Sequence, residues 1–167
     1  MQENGSATYS RLSGTLRLST SDTKRTVGRF NELITDNHAV FRRYFGVDLF
    51  PGSLNIDVPE PTSLQRDLDA GRPAPSLVIP RTELINMPHY VGDGQAWPCF
   101  LSGKKIPRAV NCWVFRRIGS RVPHGVIEIV AQERLRDTYG LQHRDAVLIE
   151  LTPPPRTGSP TADYGPG

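Results

Sequence analysis

Segments of strand-like sequence in the C-terminal half of the chain constrain its fold most. Two of them, AVNCWVFRRI (109–118) and GVIEIVA (125–131), are rich in β-branched and aromatic residues, and DAVLIEL (145–151) alternates apolar and polar side chains. QERLRDTYG (132–140) predicts a brief helix that Gly140 ends. Because nothing in the chain resembles repeated βαβ units, the pattern predicts a small, mostly β barrel with helical caps.

The N-terminal half is expected to add two strands and one helix. RLSGTLRLST (11–20) alternates, with three leucines on one face, and predicts the first strand. Apolar residues recur at three- and four-residue spacing from Phe30 to Phe45, which predicts a single amphipathic helix ended by Gly46. The second strand is expected over residues 53–58.

The middle of the chain is expected to be mostly connection. Residues 59–76 are rich in proline and predict a long connection with a helical turn near residues 64–68. A short apolar run at residues 77–80 predicts another strand. NMPHYVGDGQAWP (86–98) is expected to be a loop or a hairpin.

Length and composition indicate one globular domain. A chain of 167 residues with 37% hydrophobic and 22% charged residues can bury a single core. We expect the folded unit at residues 9–152, between a flexible start at 1–8 and a disordered tail, rich in proline and glycine, at 153–167. No apolar run approaches the ~20 residues that span a bilayer, so a cytoplasmic protein without a membrane partner is expected. We expect a monomer or a small homo-oligomer.

Charge and cysteine content narrow the classes of partner. The formal net charge of +3 would suit a phosphate-bearing ligand, but the basic residues are scattered in pairs, so nucleic acid is not expected as a partner. Cys99 and Cys112 lack the spacing of a metal motif, and we expect free, partly buried thiols.

The stretch PGSLN (51–55) is the first candidate for a functional site. Side chains two residues apart on a strand point the same way, so Ser53 and Asn55 converge beside a tight turn. Neutral oxygen ligands of this kind suit Mg²⁺ that is held mostly by nucleotide phosphates and water. The same residues also fit ordinary backbone capping at the start of a strand.

Two separated blocks resemble the archaeal CTP-dependent riboflavin kinases. FPGSLNIDV (50–58) is similar to that family's PGTLN turn and strand, and the preceding helix end, YFGVDLF, also matches. VIEIVAQERLRDTYGLQHRDAVLIEL (126–151) is similar to the family's VEIIAP stretch, whose LR falls on residues 135–136 and whose GD falls on residues 144–145. The resemblance covers about residues 12–151.

The resemblance implies a six-stranded barrel of the cradle-loop type that transfers the γ-phosphoryl group of CTP to an alcohol. Riboflavin is the first acceptor to consider, which would give FMN. The resemblance implies Mg²⁺ at Ser53 and Asn55, and it makes Glu128 the catalytic, substrate-binding residue that faces the acceptor hydroxyl. It also implies four nucleotide-binding residues: Glu133, Arg134, Leu135 and Arg136.

The chain departs from the family at two places. The family has a glycine-rich SGLGEG loop where this chain has STSDTKR, so side chains are expected to meet the nucleotide in place of backbone. These nucleotide-binding candidates are Ser19, Thr20, Ser21, Lys24 and Arg25. Upstream of Glu128 the family offers a hydroxyl to the flavin, whereas this chain has Pro123, and the adjacent His124 is the expected substitute.

These departures leave alternatives open. The acceptor could be a small alcohol other than riboflavin. A non-catalytic nucleotide- or ligand-binding regulatory module on the same barrel is the alternative from a different class, and nucleotide binding without turnover would favour it. DNA binding is a further alternative that the scattered basic pairs disfavour.

Overall fold

The computed structural model describes residues 11–18, 24–59, 67–68, 70–87, 92–119 and 125–152, with side chains for all of these except 24–29. Seven strands lie in this part of the chain: β1 (Arg11–Arg17), β2 (Leu54–Asp57), β3 (Leu77–Ile79), β4 (Gly94–Gly103), β5 (Ile106–Arg117), β6 (Val126–Val130) and β7 (Ala146–Leu151). Its helices include α1 (Lys24–Asp36), α2 (His38–Phe45) and α3 (Leu135–Thr138).

Six of the strands close into a ring. Their order is β4–β5–β6–β2–β1–β7, and β7 pairs back with β4 in an antiparallel ladder. The strand β3 pairs with the first residues of β4. It uses the same edge of β4 that pairs with β7 nearer the C-terminal end of the strand. The predicted six-stranded barrel is therefore confirmed, with a short seventh strand added at its edge.

Two apolar clusters hold the barrel and its helical layer together. Alternate residues of the strands fill the interior, among them Leu16, Ile56 and Ile149, whose side chains are fully buried. On the outer face, aromatic side chains of α1 and α2 pack around Phe115 of β5, with the Phe30 ring centroid 5.6 Å and the Phe41 centroid 5.7 Å away. The two helices therefore cover one side of the barrel.

The single helix predicted over Phe30–Phe45 is wrong, because the chain breaks at Asn37 between α1 and α2. The Asn37 amide Nδ2 donates to the carbonyls of Leu33 (2.9 Å) and Ile85 (3.1 Å), and its Oδ1 accepts from the Ile85 N–H (2.8 Å). These bonds to the segment after β3 compete with continuation of the helix. The apolar spacing runs across the break, so periodicity alone could not reveal it.

Of the loop or hairpin predicted over residues 86–98, the last part is strand, because β4 begins at Gly94 and pairs antiparallel with β3. Pro98 is an unfavourable residue inside a strand, since proline cannot donate a backbone hydrogen bond. In the barrel Pro98 falls between the residues of β4 that pair with β3, which end at Ala96, and those that pair with β7, which begin at Cys99. No ladder hydrogen bond from Pro98 is required at that position.

The terminal strands, the end of α2 and the state of the cysteines agree with the sequence predictions. The strands predicted at both ends of the chain form, and Gly46 ends α2 in the left-handed conformation, at φ 73°. Cys99 and Cys112 are free thiols, and both are buried. Of the helical turn predicted near residues 64–68, only the last two residues are described, and both are helical.

Residues 1–10 and 153–167 lie outside the described residues, so the expected flexible start and disordered tail stay predictions. Among the helices that the structure describes, none has the length and apolarity needed to cross a bilayer.

Candidate active site

A cleft of about 290 Å³ opens on one side of the barrel, where the turn before β2 meets the segment between β6 and α3. Its walls combine the end of β1, the start of β2 and the beginning of α3. The lining residues are Arg17, Leu18, Asn31, Phe50, Gly52, Ser53, Leu54, Asn55, Ile129, Ala131, Glu133, Arg134, Leu135 and Arg136.

The turn that enters β2 is held close to both the barrel and α1. The Phe50 N–H donates to the Ala131 carbonyl at 2.8 Å, and the Gly52 N–H donates to the Phe50 carbonyl at 2.8 Å. A Cβ at Gly52 would lie 2.9 Å from the Phe50 ring and 3.2 Å from Asn31 Oδ1. A side chain at residue 52 would displace the Phe50 ring, so close packing favours glycine there, and the turn presents Ser53 to the cleft.

Ser53, Asn55 and Glu128 form one polar cluster. Asn55 of β2 lies directly opposite Glu128 of β6 in the antiparallel register, so both side chains project from the outer face of the barrel. The Ser53 hydroxyl lies 3.3 Å from Asn55 Oδ1 and 3.4 Å from Glu128 Oε1. Ser53 and Asn55 line the cleft, while Glu128 lies behind Ser53, with 8% of its surface exposed.

The Glu128 carboxyl is held in an environment that opposes its ionisation. Burial raises the pKa of Glu128, while the positive charge of Arg117 and the hydrogen bond from Ser53 lower it. Because burial dominates, the carboxyl binds a proton more readily than an exposed glutamate does. Such a group is well suited to accept a proton from an alcohol, since the pKa of a general base works best when it approaches the operating pH.

Arginines form the other polar wall of the cleft. The Arg17 Nε lies 3.0 Å from Asp57 Oδ1, an ion pair that helps to orient this lining residue. The Arg134 guanidinium lies over the Phe50 ring, 5.8 Å from the centroid, and forms an ion pair with Asp137. Together with Arg136, these cations favour an anionic ligand such as a polyphosphate.

The donor set at Ser53 and Asn55 fits Mg²⁺. Neighbouring ligands of an octahedral Mg²⁺ lie ~2.9 Å apart, since each is ~2.0–2.1 Å from the ion. The 3.3 Å between Ser53 Oγ and Asn55 Oδ1 therefore needs only a small adjustment. Phosphate and water would supply the remaining ligands, since Mg²⁺ seldom uses an all-protein cage. Among the described residues, no group of three or more histidine, cysteine or acidic side chains could hold a metal ion.

The sequence of this chain matches the model of a known protein family. The family model of the CTP-dependent riboflavin kinases, described as domain of unknown function DUF120, matches residues 13–151. The chain belongs to this family. The resemblance seen in the sequence is thereby confirmed.

Two curated relatives of this CTP-dependent riboflavin kinase family member are both named riboflavin kinase. The protein from Methanospirillum hungatei is 32% identical over 112 residues, which cover 67% of this chain and 46% of the relative. The protein from Saccharolobus solfataricus is 31% identical over 109 residues, which cover 65% of this chain and 58% of the relative. The chain thus spans about half the length of the curated relatives it matches.

Within this family member, the structure brings together part of the predicted site. Glu133, Arg134 and Arg136 line the same cleft as Ser53 and Asn55. Leu135 also lines the cleft, but its side chain is 4% exposed and belongs to the interior cluster, so it positions the segment more than it contacts a ligand.

The remaining predicted residues are not located by the structure. Ser19, Thr20, Ser21 and His124 lie outside the described residues. Lys24 and Arg25 begin α1, and their side chains are not among those described. Whether they contact a nucleotide stays a prediction.

The family's GD position has an unusual backbone in this chain. Arg144 stands where the family has glycine, and its φ is 69°, in the left-handed region that glycine adopts more readily. The turn is joined to β1, because the Arg144 N–H donates to the Leu16 carbonyl at 2.8 Å and the Leu16 N–H donates to the Asp145 carbonyl at 2.9 Å. Lys105 and the Gln142 N–H both bond the Asp145 carboxylate, which lowers its pKa.

Sequence reasoning missed several residues at the site. Arg17, Asn31 and Phe50 line the cleft, and Arg117 lies near Glu128. Arg17 carried one usable signal, since it follows Leu16 in the first strand and must face away from the barrel interior. Asn31 and Arg117 carried none, because only the packing of α1 against β5 reveals which side chains meet there.

Proposed function

We propose that this chain is a CTP- and Mg²⁺-dependent kinase that transfers the γ-phosphoryl group of CTP to an alcohol, either riboflavin, giving FMN, or another small alcohol. Family membership and the two curated relatives support a phosphotransferase with an alcohol acceptor. The observation that carries the proposal is the Ser53–Asn55–Glu128 cluster at the edge of an arginine-lined cleft.

The cleft would hold the nucleotide. Arg17, Arg134 and Arg136 would meet the phosphates, and Ser53 and Asn55 would hold Mg²⁺ between the phosphates and the barrel. Bound Mg²⁺ supplies positive charge to the phosphoryl oxygens and helps to align them. Phosphoryl transfer needs little covalent help from a protein, so positioning and positive charge are the main contributions of this chain.

Glu128 would serve the acceptor. The alcohol oxygen forms a bond to the γ-phosphorus while the bond from that phosphorus to the β,γ-bridging oxygen breaks, and CDP leaves. The proton of the alcohol passes to a Glu128 carboxylate oxygen and then to water. Glu128 contacts Ser53 but does not itself line the cleft, so the acceptor would meet the cluster next to the nucleotide and not within the same lining.

A thermal-shift panel tests the nucleotide half of this proposal. CTP, ATP, GTP and UTP are each added with and without Mg²⁺, and a ligand at about a hundred times its dissociation constant should add about 2.7 kcal/mol of stability. We expect a CTP-selective shift that grows with Mg²⁺. A panel without any shift would contradict the proposal.

A further inference from the structure

Arg117, the last residue of β5, is a buried cation that its own protein does not fully satisfy. It is 8% exposed, and its Nε has no hydrogen-bond partner among the residues that the structure describes. Its guanidinium carbon lies 5.5 Å from the centroid of the Phe30 ring, a contact that attracts the charge. That contact leaves the Nε–H donor unpaired.

Arg117 lies close to Glu128 without contacting it. Phe115 pairs with Glu128 across β5 and β6, and Arg117 follows two residues later, so its side chain is on the same face. The Cα atoms of diagonal neighbours in such a ladder are ~7–8 Å apart. The two side chains form no ion pair within the described part of the chain, although the charge of Arg117 lowers the pKa of Glu128.

This arrangement is costly for the ligand-free protein. A buried donor without a partner loses its hydration without compensation, and a buried charge loses more. Well-packed apolar residues of similar volume often replace a buried ion pair at no loss of stability. Packing alone therefore does not account for an arginine at residue 117, whereas a ligand group between the two charged side chains would.

We propose that Arg117 binds the acceptor alcohol, donating its Nε–H to a carbonyl or carboxylate oxygen of that molecule while the reacting hydroxyl lies at Glu128. The inference rests on the proposed kinase function and names a residue that would select the acceptor. The bound molecule must reach both side chains, which project from the same face of the barrel at diagonal positions of β5 and β6. The molecule needs a carbonyl or carboxylate oxygen as well as a hydroxyl, and riboflavin offers both because it carries ring carbonyls and a terminal hydroxyl.

Steady-state kinetics of Arg117→Met with riboflavin and CTP test the role. We expect the KM for riboflavin to rise by about tenfold or more, the loss of roughly one buried hydrogen bond to a charged group. The KM for CTP should stay unchanged, and the unfolding midpoint of the ligand-free protein should stay level or rise. Arg108→Met is the matched control, since Arg108 is an exposed residue of the same strand.

A structural role for Arg117 would give a different pattern. In that case Arg117→Met lowers the unfolding midpoint and weakens riboflavin and CTP alike, and the inference is overturned. An unchanged KM for riboflavin would overturn it as well.

NMR of the wild-type protein labelled with ¹⁵N-arginine distinguishes failure of the kinase proposal from failure of the role proposed for Arg117. If riboflavin is neither bound nor phosphorylated, the riboflavin form of the proposed function fails, and formate and acetamide then probe Arg117 itself. A saturable shift of the Arg117 Nε–H signal with formate indicates a carboxylate partner, and one with acetamide indicates a carbonyl partner. Absence of a shift with riboflavin, formate and acetamide would overturn the role of Arg117.

Discussion

The Ser53 hydroxyl lies 3.4 Å from Glu128 Oε1, although 75 residues separate the two in the chain. The contact arises because β2 and β6 are antiparallel neighbours with Asn55 opposite Glu128. A turn motif and a strand motif thereby form one polar cluster beside an arginine-lined cleft. Changes on either strand should therefore affect the same chemical step.

Asn55→Ala should lower the Mg²⁺-dependent kcat by about 100-fold or more, because one of the two proposed protein ligands of the ion is lost. The Mg²⁺ concentration at half-maximal rate should rise as well. Initial rates measured over a Mg²⁺ titration check this. Asn111→Ala, at an exposed position of β5, is the control, and equal rates in both variants would remove Asn55 from the site.

Glu128→Gln should lower kcat by about 10²–10⁴-fold, the usual contribution of a general base, while the affinity for CTP changes little. The amide keeps the shape of the side chain but cannot take the proton of the alcohol. Single-turnover rates and CTP titrations separate the two effects. Glu150→Gln, on exposed β7 surface, serves as the control. A variant that loses stability but keeps its rate would show that the carboxylate is structural.

Arg17→Ala should raise the KM for the nucleotide about tenfold with little change in kcat, because a charge-assisted hydrogen bond to a phosphate is worth about 1.5–3 kcal/mol. Arg11→Ala is the matched control, since Arg11 is on the same strand and pairs with exposed Glu150, away from the cleft. Initial rates measured over a series of CTP concentrations give the KM of both variants. Equal KM values for both variants would place Arg17 outside the nucleotide site.

Much of the barrel could be predicted because alternation in strands such as β1 and β7 directly reports a buried and an exposed face. The break at Asn37 could not be predicted, because it depends on hydrogen bonds to the distant residue Ile85. The start of β4 could not be predicted either, because it depends on how β4 pairs first with β3 and then, beyond Pro98, with β7. Motifs predicted Ser53, Asn55 and Glu128 as site residues, and the structure brings their side chains together. Arg117 was not predicted, since its surroundings exist only once α1 packs on β5.

Arg144→Gly should stabilise the protein by about 1 kcal/mol, because glycine adopts the left-handed backbone at residue 144 without the strain that arginine bears there. Arg144→Ala keeps a Cβ and should show no such gain. Urea unfolding of the three proteins at neutral pH checks the prediction. A gain of similar size for alanine would assign the effect to loss of the arginine side chain and not to the backbone.

The measurement that tests the central claim most directly is product analysis by mass spectrometry. The purified protein is incubated with CTP, Mg²⁺ and riboflavin, with a panel of other small alcohols in parallel, and Glu128→Gln serves as the inactive reference. The account predicts a phosphorylated alcohol and CDP in equal amounts, formed by the wild type and largely lost in the variant. Binding of CTP without phosphorylation of any alcohol would contradict it and favour a nucleotide-binding module on the same barrel.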